Sequence, residues 1–251
     1  MAAAELLKTV LKDNANLKAY YRFESGALTT DSSGNGKTLT NNNTCTETTG
    51  KYGGGVAVNG SNQYLTISDV FGLVATNWSI ALWAKTDTAS KFGFLVNIGE
   101  IGGTDGFGII QNNNVNSTAG NYISVILNNV AFENFSTQFP DTTNYHHIVV
   151  TRDSSTLRLY VNGAYKGSSV DSPIAPTGVT AIGSNGASYF DGNIDDVAIF
   201  GTALSADQIK ELYEGRYLGE LRPNQFGTTA GLWHLNGNST DSSGNNNNGT
   251  D

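Results

Sequence analysis

YHHIVVTRDSSTLRLYVNGAYKG (145–167) reads as three strands joined by two turns. His146–Arg152 is a β-branched, apolar run that ends at Asp153–Ser155, a turn-forming cluster. Thr156–Val161 follows, and Asn162-Gly163 then reverses the chain into Ala164–Ser168. Asn-Gly between alternating runs is a strong short-range hairpin signal, because both residues tolerate the positive φ that a type I′ turn requires. The stretch therefore predicts a three-stranded antiparallel meander, with no room for a helix.

The same reading extends outward. Strand-like runs occur at 19–23, 55–59, 64–67, 78–85, 92–98, 106–111, 122–127, 179–183 and 194–200. Leu6, Leu7, Val10 and Leu11 have helical spacing within residues 1–15. One helix is better marked: in LSADQIKELYEG (204–215), Ser205 and Gln208 form a capping box, Ile209, Leu212 and Tyr213 an apolar stripe, and Gly215 a C-terminal stop. Many strands and almost no helix mean a β-sandwich or barrel.

YHHIVVTRDSSTLRLYVNGAYKG and then FDGNIDDVAIFGTALSADQIKELYEG (190–215) resemble the central hairpin and closing signature of concanavalin A-like, laminin-G-like jelly-roll domains. NWSIALWAK (77–85) resembles an internal strand of that family, and AYYRFESGALTTDSSGNGKTLT (19–40) its opening. The resemblance covers roughly residues 17–216. It implies an all-β, two-sheet antiparallel jelly-roll β-sandwich with one short helix after the closing strand. It does not fix a function, since one fold hosts many.

The phrase TDSSGN occurs twice. GLWHLNGNSTDSSGNNNNGT (231–250) aligns with residues 19–38, Trp233 matching Tyr21 and Leu235 matching Phe23. The expected division is an N-terminal extension (1–16), a jelly-roll domain (17–221), a linker (222–230) and the truncated start of a second copy, or a strand-like tail (231–251). Leu232, Trp233 and Leu235 could add a strand to a sheet edge, more readily that of another subunit, giving a homo-oligomer. A loose tail is the plainer alternative.

Charged residues make up only 14% of the 251-residue chain; Gly, Asn, Ser and Thr take their place. The net charge of −8 argues against nucleic acid, whose phosphates need a basic surface. No apolar run is long enough to span a bilayer. Cys45 is the only cysteine, so no internal disulfide forms. The first 18 residues make a poor signal peptide, their short apolar stretch being broken by Lys8 and Lys12. An extracellular, cell-surface or virion-surface setting would then imply a removed leader or another route out.

Glycanases of the resembling fold use carboxylates closely spaced on one strand, and glycoside hydrolysis needs two carboxyl groups roughly 5–10 Å apart. Glu24, Glu47 and Glu133 stand alone, and Glu100 has only Asp105 nearby. Asp195 and Asp196 are adjacent, so on a regular strand they would point to opposite faces. The same parity separates His146 from His147, one packed and one at the surface. The sequence therefore predicts no catalytic residues.

Calcium is the cofactor to consider. DSSGNG (31–36) offers Asp31, Ser33 and Asn35 within one turn, and calcium takes six to eight oxygens of these types. The resemblance implies that the opening and closing strands lie side by side, bringing Asp195 or Asp196 towards Asp31. An Asx-turn that satisfies its own backbone is the equal alternative. A glycan site wants aromatic faces beside amides and carboxylates. Asp105, Phe107, Asn112, Asn114 and Tyr122, in the loops 99–108 and 111–122, supply those types, although Phe107 and Tyr122 also suit a core. Trp78 and Trp83 read as core.

Three classes of function follow. The first is a non-catalytic recognition or adhesion module for a glycan or a cell-surface partner. The second is a structural assembly protein, such as a virion decoration, fibre or filament subunit, using the tail. The third and weakest is a glycanase.

Overall fold

A computed structural model of the chain describes residues 15–74, 76–99, 105–115, 117–128, 131–170 and 174–214. The helix expected within residues 1–15 (Ala15 aside), Glu100, Gly215, the linker 222–230 and the tail residues Leu232, Trp233 and Leu235 lie outside them.

The strands are β1 (Leu17–Tyr21), β2 (Thr40–Asn42), β3 (Thr46–Thr49), β4 (Gly54–Asn59), β5 (Tyr64–Ile67), β6 (Asn77–Thr86) and β7 (Gly93–Gly99), then β8 (Phe107–Val115), β9 (Thr118–Leu127), β10 (Ala131–Gln138), β11 (His146–Asp153), β12 (Thr156–Val161), β13 (Ala164–Val170), β14 (Val179–Ile182) and β15 (Asp191–Phe200). They form two antiparallel sheets. One runs β13-β12-β11-β6-β15-β4-β3, with β1 also on β15; the other runs β10-β9-β8-β7-β14-β5-β2. This is the two-sheet sandwich expected, with one helix among the described residues, α1 (Ala206–Glu214), after the closing strand.

The main core lies between the sheets. Ile80, Leu82 and Ala84 of β6, Ile148 and Val150 of β11, and Ile194, Val197 and Ile199 of β15 meet Leu95, Ile109, Ile123, Val125 and Leu127. Each large side chain buried there is worth roughly 1.5–3 kcal/mol. Trp78 and Phe107 stack in this layer, with centroids 3.9 Å apart and planes 10° apart.

The Asn162-Gly163 turn forms as expected. Both residues have positive φ, 51° and 74°, and Val161 pairs with Ala164 across a two-residue loop. The capping box also forms: Gln208 N–H donates to Ser205 Oγ at 3.2 Å, and Ser205 N–H donates to Gln208 Oε1 at 2.8 Å. Helix α1 lies on the outer face of the first sheet, where Ile209 joins Leu17, Tyr20, Tyr160, Phe200 and Leu204 in a second apolar cluster.

Three strands were not expected. β2, β3 and β10 are all edge strands. The sequences TNN and TETT of β2 and β3 carry no apolar face, because an edge strand here has little core to touch. The segment 111–122, expected as a loop, is a correction. It is mostly ladder: Asn112 pairs with Tyr122, Asn114 with Ala119 and Val115 with Thr118, extending the β8–β9 hairpin.

Candidate functional site

β1 and β15 lie side by side, with Tyr20 opposite Ala198 and Tyr21 opposite Val197. Tyr21 is also bridged to Asp31. The closing strand, the opening strand and the DSSGNG loop are thus consecutive across the sheet, the proximity the family resemblance implied.

Asp31 is saturated with donors. Its Oδ1 accepts from Tyr20 N–H at 3.0 Å and Ser33 N–H at 2.9 Å. Its Oδ2 accepts from Ser33 Oγ at 2.8 Å and Lys37 N–H at 3.0 Å. The Asn35 amide donates to the Leu17 and Lys18 carbonyls. Burial raises the Asp31 pKa, but hydrogen bonds from Lys37, Ser33 and Tyr20 outweigh it, leaving the group below its ordinary value. These oxygens face N–H and O–H donors, which a cation cannot replace without breaking the loop. The Asp31 carboxylate is therefore already committed to protein donors in this arrangement. Among the described residues, no group of three or more His, Cys, Asp or Glu side chains is placed to hold a metal.

Asp195 and Asp196 depart from the period-two reading. The register with β6 slips between Asp195 and Ala198, and Asp196 has φ 48°. Ile194 and Val197 both point into the core, so this bulge leaves both carboxylates on the outer side rather than on opposite faces. Asp196 N–H donates to Asp195 Oδ1 at 2.7 Å, and Tyr52 N–H to Asp195 Oδ2 at 3.1 Å. The Tyr20 hydroxyl donates to Asp196 Oδ1 at 2.5 Å. Tyr20 thus links the two acidic motifs, its amide on Asp31 and its hydroxyl on Asp196.

The pair is buried. Asp195 is 0% and Asp196 7% exposed. Beneath α1 a void of about 20 Å³ is lined by Tyr20, Ala81, Trp83, His147, Asp196, Ala198 and Leu212. Among the described residues, Asp196 Oδ2 and His147 Nδ1 have no hydrogen-bond partner. The void has room for about one water. Burial raises both carboxyl pKa values, and the Asp196 charge adds to the rise at Asp195. Burial pushes His147 down to about 3. The void beside Asp196 is far smaller than a sugar ring.

Both histidines are buried, 4% and 3% exposed, which corrects the expectation of one at the surface. Parity does separate them, but the outward His147 is covered by α1: Tyr213 stacks on it at 6.1 Å and on Trp83 at 5.7 Å. Trp83 accordingly lies outside the inter-sheet core, with the Lys51 ammonium 4.7 Å above its ring.

The expected ligand residues do not converge. Phe107 is in the core. Asp105, near it, braces a neighbouring loop by accepting from the Thr177 amide at 3.1 Å and from the Thr177 hydroxyl. Asn112, Asn114 and Tyr122 sit towards the far end of the β8–β9 hairpin, five or more residues from Phe107 along β8 and so roughly 17 Å away. Asn112 spends its Oδ1 on the Asn114 amide at 3.1 Å, and Tyr122 is 7% exposed.

Open grooves among the described residues include two others. One, of about 480 Å³, lies beside the DSSGNG loop and includes Lys18, Asn35, Lys37, Asp69 and Phe71; Lys37 and Asp69 are paired within it. The other, of about 370 Å³, lies between β11–β12 and the start of α1. Its residues are distant in sequence, and only the docking of α1 brings them together, so no local motif announced it.

The model of a laminin-G family, described as the concanavalin A-like lectin/glucanases superfamily, matches residues 59–210. No curated protein sequence matches the chain. Among solved structures, domain 4 of AbnA, a GH43 extracellular arabinanase from Geobacillus stearothermophilus, in complex with arabinotriose, is 21% identical. The match has a TM-score of 0.64 and covers 79% of this chain and 98% of that one. The botulinum neurotoxin serotype G binding domain is 20% identical at a TM-score of 0.59, covering 79% of this chain and 50% of that one. The binding domain of Paraclostridial Mosquitocidal Protein 1 is 18% identical at 0.59, covering 81% and 52%. The chain thus spans about half the length of the two toxin binding domains. At these identities the likeness is one of fold.

Proposed function

The chain belongs to the concanavalin A-like lectin/glucanases superfamily, and from that premise we propose that it is a non-catalytic recognition module for glycans, working at an extracellular, cell or virion surface. One observation carries the reading: the adjacent carboxylates Asp195 and Asp196 are buried, 0% and 7% exposed, and the void beside Asp196 beneath α1 is only about 20 Å³. A glycosidase must hold a sugar between its acid and its base or nucleophile, and this pair admits none. Glu24 and Glu47 are likewise occupied, accepting from the Gly54 and Gly26 amides. The arabinotriose-bound domain matched over nearly its whole length supports a saccharide as the ligand class. Among the described residues, no helix is long and apolar enough to cross a membrane.

Incubation of the full chain on a glycan array, with reducing-end release measured on the same panel, tests this. Saturable binding to a subset of glycans without release is the expected result. Capture of a cell-surface protein with no glycan retained would replace the glycan reading by a protein partner, and release of reducing ends would make the chain an enzyme.

A further inference from the structure

The 370 Å³ groove is lined by Thr151, Asp153, Arg158, Tyr160, Ser205 and Gln208, among others. Thr151 and Arg158 are register partners across β11–β12. Asp153 follows Thr151 by two residues and Tyr160 follows Arg158 by two, so all four share the outer face. Helix α1 closes one side. On the other, the Tyr165 ring meets Tyr160 edge-to-face at 5.5 Å and is itself 55% exposed.

The polar groups here are not used up by the fold. Among the described residues, no carboxylate pairs with Arg158. Among the described residues, Asp153 accepts only a 3.4 Å contact, from the adjacent Ser154 hydroxyl. Gln208 gives its Oε1 to the capping box and keeps its amide N–H groups. The groove therefore offers a cationic fork, a carboxylate and an amide donor beside an exposed aromatic ring. Arginine presents five donors in fixed geometry, and a carboxylate accepts only. Vicinal hydroxyls, each both donor and acceptor, answer that combination, and the apolar face of a sugar ring answers Tyr165.

Resting on the glycan reading above, we infer that this groove is the saccharide site and that its ligand is a short, neutral, terminal stretch of glycan. The volume lies near the lower end of the 300–1,000 Å³ that small-ligand sites span, too little for a long internal run of polysaccharide. Neutrality follows from the charges. Of the lining residues Arg158 and Asp153 are charged and their charges cancel, so an anionic sugar would meet Asp153 beside Arg158. The amides of Ser205 and Gln208 are already engaged in the capping box, so the helix start offers that much less to an anion.

The test uses the full chain against neutral arabinan, galactan, xylan and β-glucan oligosaccharides, with uronate- and sialate-bearing ones beside them. Affinity is measured by titration calorimetry for Arg158→Ala, Asp153→Asn and Tyr165→Ala, with Lys18→Ala in the other groove as control. The expected result is a loss of about tenfold or more in Arg158→Ala and Asp153→Asn, a clear loss in Tyr165→Ala, and no change in Lys18→Ala. Hydrogen exchange gives a second readout that needs no variant: glycan should slow amides of 151–160 and 205–209. Wild-type affinity in the Arg158 and Asp153 variants, or protection confined to residues 31–37 and 69–72, would move the site elsewhere and leave the glycan reading standing. Absence of glycan binding by the wild-type chain would remove both. Preference for anionic glycans would overturn the neutral class.

Discussion

Asp31 and Asp196 are carboxylates joined through one residue, Tyr20, yet their surroundings act in opposite directions. Asp31 has four donors for its two oxygens and is held ionised. Asp196 has the Tyr20 hydroxyl and its own buried Oδ2, and burial favours the proton. The sequence showed that DSSGNG closes a turn on Asp31, because Asp, Ser and Gly at those positions do so locally. It could not show whether a cation or the protein supplies the remaining partners, since two of the donors, Tyr20 and Lys37, are outside the DSSGNG turn. The bonding found makes a prediction. Asp31→Ala should lower stability by about 2–4 kcal/mol, the scale of losing several hydrogen bonds to a charged acceptor. EDTA should leave the wild-type melting temperature unchanged. A wild-type melting point that falls with chelator and recovers with calcium, in a chain where Asp31→Ala abolishes the response, would restore the metal. Because the folded Asp31 pKa is lowered, its stabilising contribution is present above 3.8 and fades as pH falls through the folded value.

Elements were legible where local chemistry decides them. Asn162-Gly163 and the Ser205–Gln208 box each specify their own backbone, and both formed. Elements were illegible where partners decide them. The bulge at Asp195–Asp196 is invisible to a period-two reading, since nothing in IDDV reveals an extra residue. The edge strands β2 and β3 have no apolar alternation because one neighbour and little core suffice to hold them. The β8–β9 extension through NNNV hid for the same reason. Two variants test the legible elements. Ser205→Ala removes the side-chain acceptor for the Gln208 amide and should cost about 1 kcal/mol in chemical denaturation; an unchanged midpoint would mean the box contributes nothing. Gly163→Ala should cost about 1–2 kcal/mol, because φ is 74° and an added Cβ would stand 2.9 Å from the Tyr213 ring. Since Tyr213 belongs to α1, that variant should also speed exchange of α1 amides, whereas a strain confined to the turn would leave them alone.

At the scale of the molecule, the sequence pattern gave strands but not their order. The placement of β1 beside β15 came from family resemblance, and the docking of α1 across the first sheet, which buries His147 and forms the 370 Å³ groove, has no signature beyond an apolar stripe. That docking has a pH consequence. Burial raises the folded pKa values of Asp195 and Asp196 above the ordinary 3.8, to about 8 at Asp195. Groups with raised folded values stabilise the fold below the unfolded value and lose that contribution as pH rises through the folded one. His147 is the reverse case: its folded value drops from 6.5 to about 3, so it withdraws stability as pH falls through that interval. Between 6.5 and 3.8 two carboxyl protons oppose one imidazole proton, and each is worth about 1.4 kcal/mol per pH unit. The carboxyl pair wins. Melting temperature should therefore rise as pH is lowered from 8 towards 5, most steeply above 6.5, where His147 does not yet oppose. Asp195→Asn should flatten that slope by about one proton, and His147→Gln should steepen it below 6.5. A wild-type melting temperature that is level or falls from pH 8 to pH 5 would mean that the two carboxylates are ionised in the folded chain, with water or a cation reaching them beneath α1.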